Sequence, residues 1–195
     1  FLGEEIYKFV RNGIGQDVIG PEFMRFVPYL FTVFVFILTN NIFGIVPILQ
    51  FPTFSHIGFS IGLSLYTLVI YHWVGIKKHG FGKYLKDICF MPGVPKFIYI
   101  ILTPVEILTH FITRPVTLSI RLFANMFGGH LLLLICTFGG NYLIHSSLFL
   151  KVAGGFSLTA SIALSFFELG IQCLQAYVFT LLSALYIAGA LAEEH

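Results

Sequence analysis

Charge is what this chain has least of. Only 10% of its 195 residues are Asp, Glu, Lys or Arg, whereas 57% are hydrophobic and 17% aromatic. A soluble domain carries about 25% charged residues. That shortfall, together with apolar runs longer than about 18 residues, excludes an ordinary water-soluble domain and indicates an integral membrane protein. Cysteine is sparse as well. Cys89, Cys136 and Cys173 share no metal-ligand spacing, and an odd number cannot all pair within the chain. They read as free, small apolar side chains. There is no catalytic triad, Walker loop, dinucleotide fingerprint or zinc motif, so neither a cofactor nor a metal is expected and the chain itself is expected to carry no catalytic chemistry. No internal repeat is visible, which removes the inverted halves of many transporters. The net charge of +2 says little about partners, and no nucleic-acid partner is expected. The chain opens at Phe1 in a charged stretch with no signal-peptide pattern, and is expected to be a fragment or to lack an upstream segment.

What the chain has is long hydrophobic stretches. Residues 1–25 are the most polar part. Ile6, Phe9, Val10 and Ile14 fall at helical spacing, with Glu4, Glu5, Lys8 and Arg11 elsewhere, which suits a helix lying at the membrane interface. Residues 26–49 and 56–76 are each long enough to cross a hydrocarbon core of about 30 Å at about 1.5 Å per residue. Residues 77–96 form a basic loop, with Lys77, Lys78, Lys83, Lys86 and Lys96 against Asp87. Such loops stay on the cytoplasmic or matrix side, which places this loop, the N-terminus and the C-terminal "AEEH" inside. Residues 97–138 and 147–192 would each make a helix roughly twice the hydrocarbon thickness. Neither has a convincing polar turn. The reading is therefore two transmembrane helices followed by a hairpin of two long, strongly tilted helices joined by "GGNYLIHS". The fold class is an all-α integral membrane protein of one domain.

An arginine breaks this pattern. Arg121 is permanently charged, and a charge at mid-membrane depth costs at least about 2.5–3.5 kcal/mol. It lies far from both ends of 97–138, so it must be answered by a carboxylate, by carbonyls or by a wet cavity. At about 100° per residue, Arg114, Thr117, Arg121, Asn125 and Gly128 share one helical face, while His130 points nearly the opposite way. On the second long helix Glu168, Gln172 and Gln175 share a face at i, i+4, i+7. Packed antiparallel with Arg121 level with Gln175, the two helices bring His130 to within about 3 Å of the level of Glu168. A histidine beside a desolvated carboxylate can pass protons near neutral pH. The pattern therefore suggests a proton path with Arg121 deepest and His130, Glu168, Asn125, Gln172 and Gln175 leading to it from outside. Glu106, Thr109, His110, Thr113 and Thr117 on the first long helix and Tyr186 on the second are weaker candidates for an inner exit. A solvated or packing role fits them as well. Asn40 and Asn41 are expected to hydrogen-bond to a neighbouring helix.

The segments "RPVTLSIRLFANMFGGHLLLLI" and "FFELGIQCLQAYVFTLLSALYI" resemble the two signature helices of the subunit a family of F-type ATP synthases. "FVPYLFTVFVFILTNNIFGIVP" and "PVEILTH" are similar to earlier parts of that family, so the likeness extends over nearly the whole chain. It implies a stator subunit of the Fo sector with two offset proton half-channels against a rotating ring of c subunits. Arg121 then matches the arginine that faces the ring carboxylate. Asn125 and Gln175 match the polar residues beside it, and His130 and Glu168 match a pair in the outer half-channel. The implied partners are the c-subunit ring, peripheral-stalk subunit b, other ATP synthase subunits, the lipid bilayer and protons. The implied location is a bacterial plasma membrane or mitochondrial inner membrane. Rival readings are a stand-alone transporter that binds an anionic substrate at Arg121, and a structural membrane subunit with no ion path.

Overall fold

The computed structural model describes residues 2–46, 53–89, 99–145 and 148–191. Four expected features lie outside them: the end of the first span at 47–49, the distal part of the basic loop with Lys96, the turn residues 146–147, and the C-terminal 192–195. The described residues are helical almost throughout. Helix α1 (Leu2–Lys8) runs through a π-helical stretch, Phe9–Gln16, into the short α2 (Asp17–Ile19). Val10, Ile14 and Ile19 on this amphipathic segment are buried against the bundle, while Glu4, Glu5, Lys8 and Asp17 remain outside and Arg11 is half-buried. Gly20, at φ +77°, then reverses the chain. An L side chain rarely adopts that conformation, and glycine adopts it without steric penalty.

Helix α3 (Val27–Ile45) buries Val27, Leu30, Phe34, Ile37, Asn41 and Gly44 at helical spacing, so one stripe faces inward and the rest faces outward. Helix α4 (Ile57–His79) returns across the bundle and ends at Gly80, whose φ of +82° separates it from α5 (Phe81–Cys89). Helix α6 (Tyr99–Leu108), a π turn at Thr109–Thr113 and helix α7 (Arg114–Ile144) form one continuous rod. The π turn has a local cause. Pro115 has no N–H, and its ring crowds the carbonyl four residues back. Widening the preceding turn relieves that crowding, and the Arg114 N–H donates to the Thr109 carbonyl five residues earlier. Helix α8 (Leu148–Leu191) closes the fold.

Four segments are long and apolar enough to cross a membrane: Val27–Ile45, Ile57–His79, Ile101–Ile144 and Phe149–Leu191. The chain is an all-α integral membrane protein. The last two segments measure 44 and 43 residues, or about 65 Å as helices. A core of about 30 Å takes such a helix only if it tilts or bends. Helix α8 is the hub, packing against α3, α4 and α7. Its Ala176, Phe179, Ala184 and Ile187 join Leu30, Ile37, Leu118, Leu122 and Met126 in the central apolar cluster. The long α6–α7 rod is different. Only 11% of an 18-residue apolar stretch of it is buried by the chain itself, against 44% for α8.

The α7/α8 hairpin is antiparallel and closes more tightly than the sequence suggested. Gly139–Ile144, read as part of the connecting turn, is helical. Glycines explain it. Gly140 and Gly154 let the two backbones meet, and Ser157 Oγ donates to the Cys136 carbonyl at 2.8 Å. A Cβ on Gly154 would lie 2.8 Å from both the Gly140 carbonyl oxygen and the Ile144 nitrogen, backbone atoms that cannot swing aside. Gly154→Ala should therefore destabilise the hairpin by about 1–3 kcal/mol and lower the amount of folded subunit in membranes. Gly155→Ala, where a Cβ meets nothing within 4 Å, should not. Equal membrane levels of the two variants would contradict this packing.

Candidate functional site: a polar seam between the two long helices

Polar side chains line the α7/α8 contact in a defined order. Nearest the hairpin turn, His130 borders a cavity of about 260 Å³ shared with Gly44 and Ile45 of α3, Thr137 of α7 and Ser165 of α8. Beside His130 on α7, Gly129 lies against the carboxylate of Glu168. A Cβ at residue 129 would sit 2.6 Å from Glu168 Oε1, so the absent side chain is what makes room for the acid. Glu168 is 5% exposed, and its Oε2 has no hydrogen-bond partner among the described residues. It borders a second cavity, about 220 Å³, with Asn125, Gly128 and Gly129. One turn further along α8, the Gln172 side-chain amide is buried beside the Glu168 carboxylate. Its backbone carbonyl accepts from Asn41 Nδ2 at 3.0 Å, tying α3 to the seam. Asn40 instead donates to Phe36 O within its own helix at 2.7 Å. Gln175 Oε1 accepts from Asn125 Nδ2 at 2.7 Å, while its own Nε2 has no partner among the described residues.

Arg121 stands one turn beyond Asn125 on the same face. It is partly exposed and makes no hydrogen bond or ion pair with any described residue. Two pairings suggested by helix alignment therefore come out shifted. Gln175 bonds to Asn125 rather than to Arg121, and Glu168 packs on Gly129, with His130 outside ion-pair distance. The cause is angular. Residues at one height on facing helices meet only if both point into the contact. Gly129 does so, whereas His130, rotated by about 100°, turns toward α3.

A second polar cluster lies two turns from Arg121 toward the end of the bundle that carries Lys77 and Lys78. Arg114 Nη2 lies 3.1 Å from His110 Nε2. A guanidinium can only donate, so that ring nitrogen accepts and carries no proton. The Arg114 guanidinium also covers the Tyr186 ring at 5.1 Å. His110 Nε2 is 3.8 Å from Glu106 Oε2, and the His110 carbonyl accepts from Tyr71 Oη at 2.6 Å. The π turn sits inside this cluster, between Glu106 and Arg114. Of the residues suggested for an inner path, Glu106, His110 and Tyr186 come together here. Thr113 bonds weakly back to Leu108 O at 3.4 Å, Thr109 is half-buried, and Thr117 is exposed. Tyr71, the adjacent His72 and the role of Arg114 were not anticipated. Tyr71 and His72 are on α4, where Ser60, Ser64, Thr67 and Tyr71 fall at i, i+4, i+7 and i+11 and form one buried stripe; that spacing is a sequence signal for Tyr71.

Residues 1–188 match the family of ATP synthase A chains. ATP synthase subunit a of Nocardioides sp. is 50% identical over 196 residues, covering 100% of this chain and 71% of the relative. The subunit a of Pseudarthrobacter chlorophenolicus is 48% identical, covering 100% of this chain and 74% of its own. That of Rhodococcus erythropolis is 41% identical, over 96% and 69%. The chain belongs to the ATP synthase subunit a family. Within this family member the Asn125–Gln175 bond joins α7 to α8 directly, side chain to side chain. Asn125→Ala, Gln175→Ala and the double variant should reveal a coupling of about 1 kcal/mol in the unfolding of the subunit. Strict additivity of the two losses would remove the bond from the account.

Proposed function

We propose that this chain is the stator subunit a of the Fo sector, working in a complex with other ATP synthase subunits. In this reading it forms two offset proton half-channels against a rotating ring of c subunits and turns proton flow into rotation. One observation carries the proposal: Arg121, a permanent cation on a membrane helix, has no counter-charge among the described residues of its own chain. A carboxylate on a neighbouring polypeptide supplies one. The little-buried α6–α7 rod offers a long apolar surface for such a neighbour.

Protons enter from the hairpin-turn side, past His130 and Glu168, and reach the ring beside Asn125 and Gln175. There they neutralise a ring carboxylate. A neutral acid can rotate into lipid, whereas a carboxylate would carry the full penalty of a buried charge. After nearly a full turn the acid meets the second half-channel, near Glu106, Thr109, Thr113, Thr117 and Tyr186, and gives up its proton. Arg121 stands between the two paths. It draws the returning carboxylate into place and repels a proton that would cross directly. Each charge moved through 100 mV releases about 2.3 kcal/mol, which the ring delivers as torque. The lysine-bearing end of the bundle faces the cytoplasm or matrix, as the positive-inside rule requires. Peripheral-stalk subunit b holds the chain against the torque.

Arg121→Ala should abolish ATP-driven proton pumping in membrane vesicles while the complex still assembles. Arg121→Lys should rescue poorly, because a lysine keeps the charge but not the planar donor fork. Normal growth of the Ala variant on a respiratory substrate would remove Arg121 from the mechanism. The entry path has its own test. His130→Ala and Glu168→Gln should each slow passive proton flux through the membrane sector after the catalytic sector is stripped away. Unchanged flux in both variants would place the entry elsewhere.

A further inference from the structure

The lysine-bearing end of the bundle holds a cavity that the proton path does not use. It has a volume of about 300 Å³ and lies where the turn before α3, the end of α4 and the end of α8 converge. Its charged lining is Arg25, Lys77, Lys78 and Glu22. Lys78 is already committed. It donates to the Leu191 carbonyl at 3.0 Å and pairs with Glu22 at 3.8 Å, tying the three segments together. That pairing answers Glu22 as well. Arg25 and Lys77 remain, both exposed and neither hydrogen-bonded nor ion-paired with any described residue.

The opposite wall is apolar. Trp73 is 68% exposed and sits four residues before Lys77 on α4, so its indole lies on the same face about 6 Å deeper along the helix axis. Phe26 and Val74 continue that wall. Cations at the rim, with an exposed indole and apolar side chains one turn deeper, match an amphiphile lying parallel to α4. Its anionic head would meet Arg25 and Lys77, and its chains would run along Trp73. A free phosphate would use only the cations. An acidic protein segment would have no use for the deeper wall at that depth. Tryptophan at this level is typical of the membrane–water interface, and basic pockets between membrane helices suit anionic head groups.

We infer that this cavity is a binding site for an anionic phospholipid, with Arg25 holding the phosphodiester through its planar fork, Lys77 adding charge, and Trp73 packing on the acyl chains. The site is separate from the proton path and does not depend on it.

The test uses the whole ATP synthase complex, purified with mild detergent and incubated with a phosphatidylglycerol carrying a diazirine on its acyl chain. After irradiation, mass spectrometry should locate the adduct on the peptide containing Trp73 and Val74. The Arg25→Gln/Lys77→Gln double variant should lower that labelling about tenfold or more. Lys77→Arg, which keeps the charge, should retain it and so separates loss of the site from loss of fold. Millimolar inorganic phosphate should not compete. Equal labelling by the phosphatidylcholine analogue would overturn the inference, as would displacement by inorganic phosphate. So would absence of labelling in the wild-type complex together with a cross-link from Lys77 to another subunit, because the cavity would then be a protein contact.

Discussion

A guanidinium in an apolar helix is the constraint around which the rest of this fold is arranged. Arg121 cannot shed its proton, and it lies too deep in the α6–α7 rod for its side chain to reach water easily. The described part of the chain does not neutralise it. Asn125, one turn away, bonds to Gln175, and the carboxylate of the seam, Glu168, is engaged with Gly129 further toward the turn. A charge held this way is destabilising for the isolated subunit by at least a few kcal/mol. A membrane protein tolerates that when the charge is answered in the assembled state. The sparing burial of the α6–α7 rod fits the same logic, since a helix left largely uncovered by its own chain has surface to give to others.

The seam also shows how close helix approach and buried polarity are coupled. Gly140 and Gly154 bring α7 and α8 together near the turn, and Gly129 keeps space for the Glu168 carboxylate lower down. Large residues at these points would separate the helices, and the amide pairing of Asn125 with Gln175 would be out of reach. Among the described residues, buried polar atoms of Glu168 and Gln175 along this contact lack partners, and His72 and His110 of the second cluster each leave one ring nitrogen unpartnered as well. Buried polar atoms are ordinarily paired, so both polar clusters keep hydrogen-bonding capacity open. In the proposed mechanism that capacity carries protons. Further along α8, Thr180 and Ser183 are buried too, but each hydroxyl donates to a carbonyl of its own helix, so neither proton is left unpaired.

Much of this was legible in the sequence, and the reasons trace to particular residues. Hydrophobic length identified the membrane class, because runs of more than about 18 residues with almost no charge are what a bilayer core demands of a helix. Helical periodicity grouped Arg121 with Asn125, and Glu168 with Gln172 and Gln175, since facing is fixed by about 100° per residue. The antiparallel alignment placed those groups at nearly matching heights. What it missed was which neighbour at a given height points inward. Gly129, with no side chain of its own, was invisible as the partner of Glu168, and His130 was offered in its place. The helical continuation through Gly139–Ile144 was missed because glycine and asparagine usually signal a turn, and only the packing of Gly140 against Gly154 overrides that signal. The inward facing of Tyr71 was missed, although it ends a stripe of Ser60, Ser64 and Thr67 whose helical spacing marks the buried face of α4. What that spacing leaves open is its partner, the His110 carbonyl 39 residues away.

The π turn at Thr109–Thr113 links these observations. It lies between Glu106 and Arg114, in the same rod as Arg121, and it holds one residue more per turn than the α-helix around it. Every group before it is therefore rotated relative to every group after it, by about 100° compared with an unbroken α-helix. His110 thus comes to meet Arg114 on one side and Tyr71 of α4 on another. Pro115 makes the wide turn locally favourable, since a regular turn there would set its ring against a carbonyl. The facing of Glu106 relative to Arg121 is consequently a property of this turn as much as of the spacing between them. A helix wheel drawn through residues 106–121 without it misplaces the acid by about 100° around the rod, from one flank of Arg121 to the other. The cluster beside α4 straddles that turn, with Glu106 before it and Arg114 after it, whereas Arg114 and the seam residues share the regularly wound α7.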